Sequence, residues 1–350
     1  MTYRVKVLST MFLLLVLGAY IAYRLAANPE WQQFHTGRFW QTLAQVRVSY
    51  VLLAALMIFA SYFFRSLRWR TFLLPMKKGR LDNIFASTLI GFTAVALMGR
   101  PGEFVRPYLI ARKEKLGLSS QLAAWTLERI FDALAMCVLL GAGLLLLSPG
   151  SDFLANGSQA MVRLRVGGIF LGVVSVLVAM LLVLLRSNAK VTIALLLRCA
   201  WMLPERHRER LEKMLMNFSG GLASIESVSG FLASAGYSVL VWAPVVLTYW
   251  SVTRAFGWPM TRLDLGAVLL LLAITVVGSL LLIPGVGGGT QVATVVALTE
   301  LFGIPLEVAT SVAIVLWLLT YMIVLVPGLP LAAREGLTWQ RLRSMTETAT

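Results

Sequence analysis

The sequence predicts an all-α, polytopic membrane protein with about six full transmembrane helices and two re-entrant helix pairs that enter from opposite faces. Three observations carry this. Hydrophobic residues make up 58% of the 350 and charged residues only 13%, at a mean hydropathy of +0.80, more apolar side chain than a soluble core can bury. Apolar windows recur along the chain at close to the ~20 residues that a helix needs to cross ~30 Å of hydrocarbon. The third is the placement of the basic residues behind the net charge of +15, since Lys and Arg gather on the cytoplasmic side of membrane helices.

In chain order, Met1 to Tyr23 reads as an uncleaved first span. A signal peptide is the alternative, because Arg4 and Lys6 precede the apolar run, but the run is long for one. Val48 to Phe64 forms the second span and leads into Arg65 to Arg80, a basic cytoplasmic segment. If Leu81 to Met98 then crossed the membrane, Arg112, Lys113 and Lys115 would lie outside and every later loop would invert. Charge parity therefore turns Leu81 to Ala111 into a re-entrant pair, broken at Gly99, Pro101 and Gly102. Leu122 to Leu147 and Val166 to Leu185 cross next, followed by the basic loop Arg186 to Lys213. Phe231 to Val252 crosses, Leu265 to Phe302 forms the second re-entrant pair around "PGVGGG", and Val308 to Val326 returns the chain to the cytoplasm. This arrangement puts 21 of the 31 Lys and Arg residues in the cytoplasm and seven outside. Residues 1–335 are expected to form one transmembrane domain and residues 336–350 a short cytoplasmic tail, with both termini inside a bacterial or archaeal cytoplasmic membrane.

Several chemistries have no support. Cys137 and Cys199 lie far apart, against a disulfide framework. His35 and His207 have no second ligand at a metal-like spacing, so no metal is assigned. There is no GxxxxGK[ST] pattern for a nucleotide loop, and nothing points to nucleic acid or to a cofactor.

Three patches bring polar groups to membrane depth. In "GRPGEFVRP", Arg100, Glu103 and Arg106 recur every three residues and would share a helix face. Pro101 and Gly102 suit a helix start, whose free amides favour an anion. In "WTLERIFDAL", Glu128, Arg129 and Asp132 form an acid, base, acid face. In "IPGVGGGTQ", Gly287, Gly288 and Gly289 can present backbone amides to an anion, with Thr290 and Gln291 adding side-chain hydrogen bonds. Arg65, Arg68 and Arg70 in "FFRSLRWR" read either as lipid-phosphate ligands or as interfacial anchors beside Trp69. Structural alternatives stand for the others too: Arg129 with Asp132 as a helix staple, Glu103 with Arg106 as a fold-fixing pair, and the glycines as close helix packing.

"FRSLRWR", "GRPGEFVRPYLI", "LERIFDAL" and "IPGVGGGTQVATVVALTELFGIP" occur in this order, and together they resemble the lysylphosphatidylglycerol synthase transmembrane-region family of flippase-like proteins over about residues 5–335. The resemblance implies a membrane protein that moves lipids between leaflets. Fused members carry a soluble aminoacyl-transferase domain that this chain is not expected to have, so lysyl-lipid synthesis is not carried over. Relatives often read like "PGGxGxxE" at the glycine-rich turn, and Gln291 stands at the acidic position. The expected function is thus that of a flippase, not an enzyme, for an anionic or polyprenyl-linked (glyco)lipid, using Arg100, Arg106, Arg129 and the glycine amides, with enzymes of lipid or envelope synthesis as partners. The alternative is a transferase acting on a lipid carrier, for which the outer loops offer only Glu30 and Asp152 as acids; a scaffold is a third reading.

Overall fold

The computed structural model describes residues 34–74, 76–147, 188–199, 228–279 and 288–336, with scattered positions between 166 and 184 and at 212. Met1 to Tyr23, Glu30, Asp152, most of Val166 to Leu185, His207, Gly287 and residues 337–350 lie outside the described residues. All described elements are helical. They are α1 (Thr36–Ala44), α2 (Val48–Leu73), α3 (Leu81–Met98), a 3₁₀ turn (Arg100–Phe104), α4 (Val105–Glu114), α5 (Leu118–Leu146), α6 (Ala189–Cys199), α7 (Val228–Ala255), α8 (Leu265–Gly278), α9 (Gly289–Val296), α10 (Leu306–Trp317) and α11 (Leu325–Arg334). One π-helical turn extends α9 to Leu301 and another joins α10 to α11. Val48–Leu73, Leu81–Met98, Leu118–Leu146, Leu232–Ala255 and Leu306–Arg334 are each long and apolar enough to cross a membrane.

The centre of the fold is the antiparallel pair α2 and α7. The Arg47 amide donates to the Ala255 carbonyl at 2.9 Å, Thr248 Oγ1 to the Ala54 carbonyl at 3.2 Å, and Ser61 Oγ to the Val241 carbonyl at 3.0 Å. These contacts repeat every seven residues on both helices, the period at which two long helices keep one seam in register. Small residues on the seam, Ala54 and Ser61, let the backbones approach closely enough for side chains to reach carbonyls.

Two hairpins attach to this pair at opposite ends. In the first, α3 runs away from the C-terminal end of α2, the chain reverses, and α4 returns. The return is fixed at the base by Glu114, which takes Lys77 Nζ at 3.1 Å, Asn83 Nδ2 at 2.8 Å and the Arg80 amide at 3.4 Å. Gly99 turns the chain at φ 70°, a left-handed conformation that a β-carbon disfavours. Gly102 lies against the backbone of Ala94, where any side chain would collide. In the second hairpin, α8 has 14 residues, about 21 Å at 1.5 Å per residue and short of a full crossing. Its arms meet through Thr275 and Thr294, whose hydroxyls are 3.1 Å apart. Arg262 closes the base by donating to the Phe302 and Gly303 carbonyls at 2.8 and 3.2 Å, beside Ala255 and so at the N-terminal end of α2. The helix pairs read from charge parity and from the Gly/Pro breaks are therefore both present, with bases at opposite ends of the bundle.

Hairpin two also packs on α5, and hairpin one on α11. Gly143 of α5 faces Gly266 and Leu269 of α8, and Gly328 of α11 sits on Thr93 of α3. Small residues at helix crossings are how apolar bundles gain close packing where lipid offers no hydrophobic drive. The outward faces carry apolar side chains such as Leu52, Leu56, Val239, Val277 and Val326. At the α2 N-terminal end, α1 carries the exposed Trp40, and Trp258 is exposed as well, as suits aromatic rings at an interface.

One expectation changes. The second span does not stop at Phe64, since α2 continues to Leu73 and carries Arg65, Arg68 and Arg70 within it. Trp69, expected at an interface, is 0% exposed and donates from Nε1 to Gln121 Oε1 at 3.1 Å. A hydropathy window ends at its first arginine, whereas a helix continues wherever that arginine finds a carboxylate.

A candidate site: an arginine-rich cavity where the two hairpins meet

Arg65 and Arg68 are three residues apart on α2 and so share a helix face, as Glu128, Arg129 and Asp132 do on α5. The two faces oppose one another. Arg68 Nη2 lies 2.8 Å from both Glu128 Oε1 and Asp132 Oδ1, and Arg65 Nη1 lies 3.0 Å from Asp132 Oδ2. Hairpin one adds Arg106 from α4, with Nη1 2.9 Å from Glu128 Oε2 and Nη2 donating to the Arg65 carbonyl at 3.3 Å. Arg129 Nη2 is 3.2 Å from Asp132 Oδ2. Arg68 also donates to Ser238 of α7 at 2.9 Å. The cluster thus ties α2, α4, α5 and α7 together.

Local sequence features make room for it. A β-carbon on Gly91 would come within 2.5 Å of the Arg106 Cβ, so only glycine on α3 lets α4 bring Arg106 this far in. The Arg106 guanidinium stacks 4.2 Å from the Trp69 ring centroid, and that of Arg65 lies 5.6 Å from both Phe92 and Trp242, contacts that suit a weakly hydrated cation.

Beside the cluster lies a cavity of about 390 Å³. Hairpin one lines it with Gly91, Phe92, Arg100, Glu103 and Arg106, hairpin two with Leu272, Thr275, Ser279 and Thr290, and α5 with Trp125, Arg129 and Asp132. Arg65 and Tyr62 of α2, Trp242 and Tyr249 of α7 and Tyr321 of the π-helical turn complete an aromatic wall. Both hairpins, based at opposite ends of the molecule, therefore line one cavity.

The predicted residues divide around it. Arg100, Glu103, Arg106, Arg129, Asp132 and Thr290 line the cavity. Glu128 and Arg68 lie directly behind, each 0% exposed, so Arg68 is a buried partner of acids and not an interfacial anchor. Gly288 and Gly289 begin α9 next to Thr290, whose hydroxyl donates to Gln291 Oε1 at 3.3 Å; neither these glycines nor Gln291 line the hole. Arg70 stands apart from both cluster and cavity. The Glu103 and Arg106 fold-fixing pair does not form, because Arg106 is taken by Glu128, while Arg100 and Glu103 have no ion pair among the described residues. The Arg129 and Asp132 pair does form, with the Arg129 side chain 42% exposed.

Arg65, one of the three arginines of "FFRSLRWR", lines the cavity, and the aromatic wall was missed. Nothing in the sequence separates a cavity aromatic from a lipid-facing one.

The charges do not balance. Among the described residues of the cluster, Arg65, Arg68, Arg106 and Arg129 oppose only Glu128 and Asp132, leaving two positive charges over. Arg106 Nε and Trp242 Nε1 are buried without a hydrogen-bond partner. Buried donors are normally satisfied, so orphaned ones beside a cavity call for an acceptor. The arrangement offers surplus positive charge and free donors of the kind that an anion takes.

The chain matches the family model of the lysylphosphatidylglycerol synthase TM region over residues 7–328. It belongs to that family. Neither the curated proteins nor the solved structures gave a match. The matched stretch of this lysylphosphatidylglycerol synthase TM-region member includes both hairpins and every residue of the arginine cluster, so the cavity belongs to the family region.

Proposed function

We propose that this multi-pass membrane protein moves a lipid with an anionic headgroup between leaflets, with the headgroup passing through the arginine-rich cavity and the tails left in the bilayer. The carrying observation is that two hairpins, based at opposite ends of the bundle, line one cavity with surplus positive charge and unpartnered donors. Non-helical backbone at membrane depth is tolerated where it lines a water-filled cavity, and sites in transporters lie where such broken helices converge. An anionic headgroup crosses a bilayer slowly because hydrocarbon cannot solvate it. A site that lowered the barrier by ~7 kcal/mol would speed crossing by about 10⁵-fold.

In this reading Arg100, Arg106 and Arg129 meet the headgroup, Arg65 supports them, and Arg68 with Glu128 holds the arginines in place. The cytoplasmic side is the end carrying Lys77, Lys78, Arg80, Arg112, Lys113 and Lys115, in keeping with the basic bias of cytoplasmic loops. Both termini then face the cytoplasm, and the membrane is the cytoplasmic one. The chain acts as a transporter and not an enzyme, beside enzymes that make or modify the lipid. The test is a proteoliposome assay with a headgroup-labelled anionic lipid and a membrane-impermeant quencher. Wild-type protein is expected to expose the inner-leaflet label faster than empty vesicles, and Arg129→Ala to abolish the gain. Unchanged label accessibility, together with a lipid product of new mass when a donor is supplied, would establish the transferase alternative instead.

A further inference from the structure

We infer that the cavity is built for a phosphoryl group bearing two negative charges, a terminal phosphate monoester, rather than for a singly charged phosphodiester. This rests on the cavity as a headgroup site and narrows the chemistry that site takes.

The first ground is charge. The cluster of Arg65, Arg68, Arg106, Arg129, Glu128 and Asp132 carries two positive charges in excess among the described residues. Arg100 and Glu103, the other charged side chains lining the hole among the described residues, cancel each other. Guanidinium groups do not shed their protons in proteins, so the excess cannot be relieved by titration. Uncompensated charge at membrane depth is costly. A phosphodiester would leave one charge of the excess standing; a monoester dianion closes it.

The second ground is the donors. Arg106 Nε and Trp242 Nε1 have no partner, and their residues are 4% and 7% exposed. Both residues line the cavity and contact Arg65, whose carbonyl accepts from Arg106 and whose guanidinium lies 5.6 Å from the Trp242 ring. Arg100, also on the lining, has no ion pair among the described residues and offers a complete fork of donors. A terminal phosphate presents three strong acceptor oxygens to these donors; a diester presents two that carry charge. Phe92 lies close to the guanidiniums of both Arg65 and Arg106.

The experiment titrates purified, delipidated protein in detergent with dioleoyl phosphatidic acid, dioleoyl phosphatidylglycerol and inorganic phosphate, reading occupancy by native mass spectrometry. At pH about 8 phosphatidic acid, a monoester, is expected to bind at least about tenfold more tightly than the phosphodiester. The advantage should shrink towards parity near pH 5, below the second phosphate pKa of about 6. Trp242→Phe and Arg100→Gln, checked as folded by thermal unfolding, should each weaken phosphatidic acid severalfold and narrow its advantage. Equal binding of the two lipids at pH 8, with both weakened by these variants, overturns the dianion and leaves the headgroup site standing. Inorganic phosphate binding as tightly as phosphatidic acid assigns the site to a solute anion and overturns the lipid. Absence of binding by either lipid, or binding that ignores both variants, overturns the dianion and the headgroup site together.

Discussion

Arg106 reaches Glu128 across the junction of hairpin one and α5: its Nη1 lies 2.9 Å from Oε2, while Oε1 of the same carboxylate takes Arg68 at 2.8 Å. One buried acid thus holds two arginines that play different parts. Arg68 is sealed away from the cavity, whereas Arg106 lines it, although the Nε of each is unpartnered.

That difference separates structural from functional variants. Removing one partner of a buried ion pair costs about 3–5 kcal/mol, because the other charge is left uncompensated. Arg68→Ala empties a 0% exposed site and removes the one guanidinium that bridges Glu128 to Asp132 and reaches Ser238, even though Arg106 and Arg65 still pair with those acids, so it is expected to lower the unfolding temperature sharply in detergent and to give little folded protein. Arg129→Ala removes a side chain that is 42% exposed, and its pair is worth about 1 kcal/mol or less at that exposure. The expected result is near-wild-type unfolding with transport lost. Equal destabilisation by the two variants would make Arg129 a staple.

Arg106→Lys keeps the charge but not the geometry. A lysine can meet Glu128, yet it cannot also donate to the Arg65 carbonyl, stack as a plane on Trp69, and leave a third donor for the cavity. Folded protein should persist, and initial transport rates should fall at least about tenfold, which corresponds to about 1.4 kcal/mol in the barrier. Full activity in this variant would show that charge alone is what the site needs at Arg106.

Much of this arrangement was legible in the sequence. The hairpins followed from two local signals, the helix-breaking Gly99 and Pro101 and the parity of the basic residues around them. Glu128, Arg129 and Asp132 announced a charged helix face through their spacing. What was not legible was which partner each charge takes. Arg68 and Glu128 are 60 residues apart, and only the α2, α5 and α4 packing brings them together. Arg106 has Glu103 three residues away but is captured by Glu128, because Gly91 lets α4 seat Arg106 deep against α3 and facing α5. The aromatic wall was illegible for another reason. Trp242 on α7 and Trp125 on α5 have the same local pattern as residues facing lipid, and their place at the cavity is a tertiary fact.

The glycine at position 91 gives a packing prediction. Gly91→Ala would place a methyl group within 2.5 Å of the Arg106 Cβ. Overpacking of this kind typically costs about 1–3 kcal/mol, and here it would push α4 away from α3 and shift Arg106 off Glu128. Thermal unfolding should fall by a matching amount, and anion binding should weaken more than it does in Gly37→Ala, where the added carbon has open space. Equal effects at the two positions would mean that the close approach of α3 and α4 does not set the site.

Glu114, at the base of hairpin one, makes stability depend on pH. Burial raises its carboxyl pKa, but hydrogen bonds from Asn83, Lys77 and the Arg80 amide, together with the Lys77 charge, outweigh that and hold it below its ordinary value. A carboxylate with a lowered folded pKa binds its proton more weakly folded than unfolded, so it stabilises the fold above the unfolded pKa and loses that contribution as pH falls through the folded one. Hydrogen bonds to a charged acceptor contribute about 1.5–3 kcal/mol. Glu114→Gln should therefore be less stable than wild type near neutral pH, measured by thermal unfolding in detergent, and the gap should close as pH falls below the ordinary carboxylate range of about 4. Because Glu114 closes the hairpin base at a distance from the cavity, transport by the folded variant should fall only as far as its folded fraction does. A gap that stayed constant from neutral to acid pH would show that the Gln side chain is mispacked, and that the charge of Glu114 is not what fastens the return of α4 to the start of α3.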